Sequence, residues 1–240
     1  MQLDLLIKRL AMLFGVDLRA YHPARSEGAR LARMLAYHKV DLVLDVGANT
    51  GQYARYLRSI GYRGRIICFE PLAAAHASLC RWASRDPDVT VAPRQALGEE
   101  AGSVAINVSA NSESSSILAV GEAHLLSEPG ARPVAVETVA LNRLDEVATE
   151  YLLADSRVFL KIDVQGYELP VLCGAAGLLP RIQGLQLELS LYPLYDGEPL
   201  YREVIDAVER SGYTLHDVNP CFSDAVIGRT YQVDGIFFRE

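Results

Sequence analysis

Residues 42–51 read Leu-Val-Leu-Asp-Val-Gly-Ala-Asn-Thr-Gly, and this stretch decides the fold. The short apolar run over 40–46 has the pattern of a strand buried in a parallel sheet. A glycine turn follows at 47–51, and residues 52–60 resume as a helix. Such a strand-turn-helix passage aims backbone amides and the positive end of a helix at a ligand. Gly47 permits close approach of the backbone, and Gly51 lets helix and strand pack closely. A dinucleotide fingerprint would read Gly-x-Gly-x-x-Gly. Here Asn49 stands at the second glycine and the spacing is acid-x-Gly-x-x-x-Gly.

That departure has a chemical meaning. S-adenosylmethionine has no pyrophosphate, but its amino acid end carries an ammonium, so Asp45 at the strand end is expected to hold it directly or through water. A second strand, 65–69, runs into Glu70-Pro71. Glu70 lies where a Rossmann-type site places the acid that accepts from ribose hydroxyls. Asp45, Gly47, Asn49, Gly51, Glu70, Pro71, Ala96, Leu97 and Asp163 form the expected cofactor lining. Asn49, Thr50 and Gln52 also suit helix capping, and Asp45 alone would as well.

Outward from this point the chain alternates. Residues up to about 40 read as helical with a break near Tyr21-His22-Pro23, and form an N-terminal helical cap, 1–40, before a single domain over 41–240. A helix is expected at 73–84 and a third strand at 88–91 continuing toward 96–97. Over about 100–140 the rhythm breaks into a β-rich insertion. There Val104, Ile106 and Val108 alternate with polar or small residues, the polar loop NSESSS follows from Asn111, and a strand covers 134–139. A helical piece lies at 144–153, and alternation returns with a strand at 158–163, a helix at 170–179, a strand at 185–189 and a helix at 200–211. Two late strands, 214–217 and 231–238, are expected to pair antiparallel. The predicted class is α/β, a Rossmann-like, mostly parallel, doubly wound sheet with a terminal antiparallel strand pair.

The chain has 240 residues, half of them hydrophobic and 22% charged, which suits one large domain with a substantial core. A formal net charge of -7 argues against nucleic acid as a partner. Cys68, Cys80, Cys173 and Cys221 match no zinc or redox spacing and read as reduced thiols of a cytoplasmic protein. The N-terminal MQLDLLIKRLAMLFGVDL lacks the ordered segments of a secretory signal. Leu3, Leu5, Leu6, Leu10, Leu13 and Phe14 give it the spacing of an amphipathic helix, packed on the domain or facing a membrane surface or a second copy in a homo-oligomer. No run is long enough to span a bilayer.

Four blocks resemble the FkbM family of methyltransferases: LVLDVGANTGQYA from Leu42, CFEPL from Cys68, FLKIDVQGYELPVL from Phe159 and LELSLYPLYDGEP from Leu187. The likeness covers roughly residues 42–238, and the serine-rich loop fits it too. It implies a class I methyltransferase fold, S-adenosylmethionine as donor, and O-methylation of hydroxyls on polyketides, sugars or glycans, or other secondary metabolites. One departure is Gln165, where the family often carries an acid.

The donor's sulfonium is already electrophilic, so the protein must align an acceptor oxygen and take its proton. Asp163, closing the strand 158–162, is the first choice beside the methyl group. Lys161, a charge within that strand, is expected to pair with Asp163, Glu188 or Glu168, or to bind an acidic group of the acceptor. Glu168 serves as a base or opens the following helix favourably. Glu188 is placed to meet Asp163 as a second carboxylate, for a base or, less favoured, a divalent metal. His216 beside Asp217 is a further candidate base, and His124 a weaker one. Asn111, Ser114, Ser115, Ser116, Tyr192 and Tyr195 are candidate acceptor contacts, with Asp196 nearby. Two alternatives stand beside this reading: a nicotinamide-dependent oxidoreductase, which the Asn49 substitution and the lack of a Tyr-x-x-x-Lys pair disfavour, and a non-catalytic Rossmann-like subunit.

Overall fold

The computed structural model describes residues 2–16, 18 and 21–240. Ten strands and eight α-helices follow one another along the described chain. The first helices are α1 (Gln2–Leu13) and α2 (Glu27–Tyr37). The α/β core begins with β1 (Leu42–Val46), α3 (Gln52–Ser59), β2 (Arg65–Phe69), α4 (Ala73–Ala83) and β3 (Val89–Val91). The insertion holds β4 (Ala96–Leu97), β5 (Gly102–Ser109), α5 (Glu122–Ser127) and β6 (Pro133–Asn142). After α6 (Leu144–Val147) come β7 (Val158–Ile162), α7 (Glu168–Gly174), β8 (Ile182–Ser190), α8 (Tyr201–Arg210), β9 (Thr214–Ser223) and β10 (Thr230–Phe238).

The main sheet has the order β3-β2-β1-β7-β8-β10-β9. Its first five strands run parallel, and β10 lies antiparallel between β8 and β9. The mostly parallel sheet and its terminal antiparallel pair are as expected. β1 and β7 are buried at every position, as strands covered on both faces must be. On one face Leu44, Val46, Leu160, Ile162, Leu185 and Leu187 form part of the larger core, which includes Val171 and Leu172 of α7. On the other, Val43, Ile66, Phe159 and Ile236 meet Leu31 and Leu35 of α2 and Ala54 and Leu57 of α3.

Three details differ from the sequence reading. Ala96 and Leu97 do not continue the third strand; they pair with β6 in a separate sheet ordered β4-β6-β5. The helical piece after Leu144 is one α-helical turn and a 3-10 turn, Thr149–Tyr151. Packing at the N-terminus comes from α2, whereas Ile7, Leu10, Met12, Leu13 and Phe14 are exposed, so among described side chains α1 does not act as a packed cap. The side chains of Leu3, Leu5 and Leu6 lie outside the described residues. No described helix is long and apolar enough to cross a membrane.

Candidate active site

The carboxyl ends of β1, β2, β7 and β8 open into a cavity of about 480 Å³, within the usual size of small-molecule sites. Its position at the switch point between β1 and β7, where strand order reverses, is where open α/β sheets bind ligands.

At one end the turn after β1 meets the tip of β2. Gly47 and Gly51 hold left-handed backbone. A side chain at Gly47 would collide with the carbonyl of Asp163, so the glycine lets the turn press against the end of β7. A side chain at Gly51 would press on Leu79 and Trp82 of α4, so the close packing expected there is between helices. Glu70 is 3% exposed and lines the cavity. One carboxylate oxygen accepts the Asn49 N–H at 2.7 Å and the other the Leu72 N–H at 2.8 Å. Each oxygen keeps a lone pair for a further donor. Burial pushes this carboxyl up to about 7, against the pull of the two amides. Phe69, Pro71, Leu72, Gln95, Ala96, Leu97 and Tyr167 complete a largely apolar wall. The donor set fits a nucleoside: an acid with two free acceptor positions suits a ribose diol, and the apolar wall suits a flat base.

At the other end the acids of β7, β8 and β10 gather. Asp163 follows β7, and Glu188 and Asp234 are register partners on β8 and β10. Gln165, itself left-handed at φ 58°, donates from Nε2 to Asp163 Oδ1 at 2.8 Å and to Glu188 Oε2 at 2.8 Å. Gln232 donates to the same Glu188 oxygen at 2.9 Å. Low-dielectric surroundings, then Asp163 and other carboxylates, hold Glu188 well above the ordinary carboxylate range. Asp234 is pushed up to about 6, mainly by burial. Ser112, Glu113, Ser115 and Ser116 from the serine loop face this cavity, with Tyr53 and Tyr56 of α3 and Glu27 of α2.

Lys161 joins the two ends. Its ammonium lies 3.1 Å from Asp163 Oδ2 and 3.4 Å from Asp45 Oδ1, beneath the Tyr53 ring. Burial opposes its charge, but Asp163 and Asp45 outweigh that and raise its pKa. Lys161 therefore pairs within the protein with two acids while lining the cavity.

Several expected residues stand elsewhere. Asp45 does not reach the cavity: it is 0% exposed, opposite Lys161 in the β1–β7 register, and burial raises its pKa. Its side chain is turned to Lys161 and has no exposed surface, so Asp45 is one residue removed from the cavity, behind Lys161. His216 is exposed at the start of β9, bonded to Thr214 and near His38 and Phe238, at the opposite end of the sheet from the cavity. It is too far from the strand tips to act as base. Asn111 caps the 3-10 turn through the Ser114 N–H, and Ser114 is buried against His124 and the Tyr195 hydroxyl, so neither presents its side chain to the cavity. Tyr195 is buried and donates to Gln165 Oε1 at 2.8 Å. Tyr192 is exposed beneath Arg229, outside the cavity. Glu168 is buried and accepts the N–H groups of Val164 and Gly166, shaping the start of α7 rather than meeting the cavity. Among the described residues no group of three His, Cys, Asp or Glu converges as a cation site, and the Gln165 amide bonds both Asp163 and Glu188. The four cysteines are free.

The reading missed Glu27, Tyr53, Tyr56, Gln95, Gln186 and Asp234. One signal was available: Lys161 in an otherwise apolar strand demands a partner, and a charge in the neighbouring strand, Asp45, was the nearest.

The family described as the methyltransferase FkbM domain matches residues 45–215. A 2-O-methyltransferase, NoeI, of Sinorhizobium fredii is 28% identical over 174 residues, covering 69% of this chain and 70% of that protein. The methyltransferase domain of bacterial CtHen1-C is 9% identical, with a TM-score of 0.50 over 91% of this chain and 99% of that one. That likeness speaks for the fold alone.

Proposed function

Because this chain belongs to the FkbM methyltransferase family, an S-adenosylmethionine-dependent one, we propose that it transfers the donor's methyl group to a hydroxyl oxygen of a small molecule, a secondary metabolite such as a polyketide or a sugar. The observation that carries this reading is the single cavity with Glu70 at one end and the Asp163–Glu188 pair at the other. That NoeI is a 2-O-methyltransferase supports oxygen as the acceptor atom.

When bound, the cofactor supplies a methyl group already activated by the sulfonium. The protein's part is to bind, align and deprotonate. Glu70 would take the ribose hydroxyls on its free lone pairs, and Ala96, Leu97 and Phe69 would face the base. Asp163 and Glu188 would receive the acceptor's proton. A carboxyl held above its usual range is a better base near neutral pH than an ordinary one. Lys161 and Gln165 fix Asp163 from either side, so the base does not have to be oriented during the reaction. Tyr53, Tyr56 and the serines would seat the acceptor.

Incubation with methyl-labelled S-adenosylmethionine and a panel of hydroxylated polyketides and sugars, read by mass spectrometry, tests this. A labelled product heavier by one methylene is expected. Tight binding of NAD with no binding of S-adenosylmethionine or its demethylated product would reverse the assignment to an oxidoreductase.

A further inference from the structure

We propose that Gln165 is a positioning residue that clasps the Asp163 and Glu188 carboxylates with one amide and ties that pair to the serine-loop side of the cavity. The proposal rests on the reading of those two carboxylates as the proton-accepting end. Three side-chain bonds define the clasp: Nε2 to Asp163 Oδ1 and to Glu188 Oε2, each 2.8 Å, and the Tyr195 hydroxyl to Oε1 at 2.8 Å. A fourth comes from the backbone, where the Gln165 carbonyl accepts the Ser116 hydroxyl at 2.6 Å. The same Tyr195 oxygen lies 3.1 Å from the Ser114 carbonyl, so the amide and the serine loop share its one proton.

The chemistry explains why an amide suits this place. Two carboxylates brought together repel, and one is forced to keep a proton or to recruit a cation. An amide nitrogen offers two N–H donors with no charge, so it serves both acids at once. A carboxylate at 165 could donate to neither unless protonated. The left-handed backbone at Gln165, followed by left-handed Gly166, is what turns the side chain back toward the strand tips. An L-residue resides there only with support, and the Ser116 and Tyr195 bonds provide it. The remaining charged and titratable groups around the pair are Lys161 and Asp45 from β7 and β1, Glu168 from α7, Asp234 from β10 and Cys221 from β9. Of the two acids Lys161 contacts only Asp163 directly, which leaves Glu188 to the amides of Gln165 and Gln232 and the thiol of Cys221.

The test is a carbon-13 NMR titration of Asp163 and Glu188 in the full chain, for wild type, Gln165→Met and Gln165→Glu, beside calorimetry with S-adenosylhomocysteine. Because N–H donation favours the charged carboxylates, Gln165→Met is expected to raise the pair's apparent titration by about one pH unit. Gln165→Glu is expected to raise it further and to create magnesium binding at millimolar concentration that wild type lacks. Nucleoside affinity should stay within about threefold in both, since Gln165 lies at the other end of the cavity. If Gln165→Met does not fold, Tyr195→Phe releases the amide oxygen and is expected to shift the titration the same way by a smaller amount. A titration unchanged in every folded variant overturns the clasp. Failure of wild type to bind the nucleoside at all would instead overturn the underlying methyltransferase site, and the two outcomes are read on separate instruments.

Discussion

At the nucleoside end of the cavity a lone carboxylate, Glu70, is held by backbone N–H groups of Asn49 and Leu72. At the acceptor end two carboxylates, Asp163 and Glu188, are held by side chains from four places in the chain: Lys161, Gln165, Gln232 and Cys221. The first arrangement is a property of a turn, since the strand tip and the loop beside it suffice. The second exists only once β7, β8, β9 and β10 have been laid side by side. On the proposed function, the difference separates what binds from what reacts. Backbone amides fix the Glu70 carboxylate without depending on any partner side chain, whereas side-chain bonds leave proton affinity open to adjustment.

The sharpest way to break the contrast is to remove charge from the reacting end alone. Asp163→Asn is expected to lower turnover by about 10²- to 10⁴-fold, the range of general-base contributions. Affinity for S-adenosylhomocysteine should fall no more than a few-fold. Steady-state kinetics on whichever acceptor the labelled panel yields, with calorimetry alongside, checks this. Loss of affinity equal to the loss of turnover would mean that the two ends are not separate.

Next in size is the link between them. Lys161→Met leaves Asp45 buried without its cation, and breaking such a pair costs about 3–5 kcal/mol. Urea denaturation should show it, partly recovered in the double variant Lys161→Met with Asp45→Leu, which removes both charges. If the double variant is no more stable than the single one, the cost lies in lost support of Asp163 rather than in the stranded carboxylate.

Glu70→Ala follows. Two charge-assisted hydrogen bonds to a ribose diol are together worth a loss of roughly 30- to 300-fold in nucleoside affinity. Its pH dependence sharpens the same point. Glu70 is raised to about 7 in the folded chain, so between roughly pH 4.5 and 7 the unfolded state gives up this proton while the folded state keeps it. Its contribution to stability is therefore present below about 4.5 and is lost as pH rises toward 7. Ribose hydroxyls donate best to the charged form, so nucleoside affinity should climb up to about tenfold per pH unit below 7 and flatten above it. Glu70→Gln should erase that slope. A slope that survives the substitution belongs to another group.

The same contrast explains how much was legible beforehand. Glu70, Gly47 and Gly51 were readable because the chemistry they serve is local: a strand, a turn and the next strand's tip. Asp163 and Glu188 were readable as strand-end acids, yet their clasp was not, because Gln165 stood out only as a departure from the family's acid and its reach to both carboxylates comes from a left-handed φ. Asp234 was invisible, since only the antiparallel register of β10 on β8 sets it opposite Glu188. Glu27, Tyr53 and Tyr56 are delivered by helix faces packed over the sheet. Asp45 stands back from the cavity for a physical reason as well. Adjacency to a glycine turn suggested a ligand, but the β1–β7 register sets it opposite Lys161, with which it pairs.

The smallest expected effect concerns His216, at the far end of the sheet from both sites. His216→Ala removes an exposed ring whose hydrogen-bond partner is Thr214, so stability should change by no more than about 0.5 kcal/mol, and the pH profile of methyl transfer should be unmoved. One neighbour does register the loss. The pKa of His38 is lowered first by burial and next by His216, so its titration should shift slightly upward in the variant. Proton NMR of the His38 ring reads this directly. An altered pH profile of methyl transfer, with His38 unchanged, would place a titrating partner of the reaction at this end of the sheet and undo the separation of nucleoside and acceptor ends along one set of strand tips.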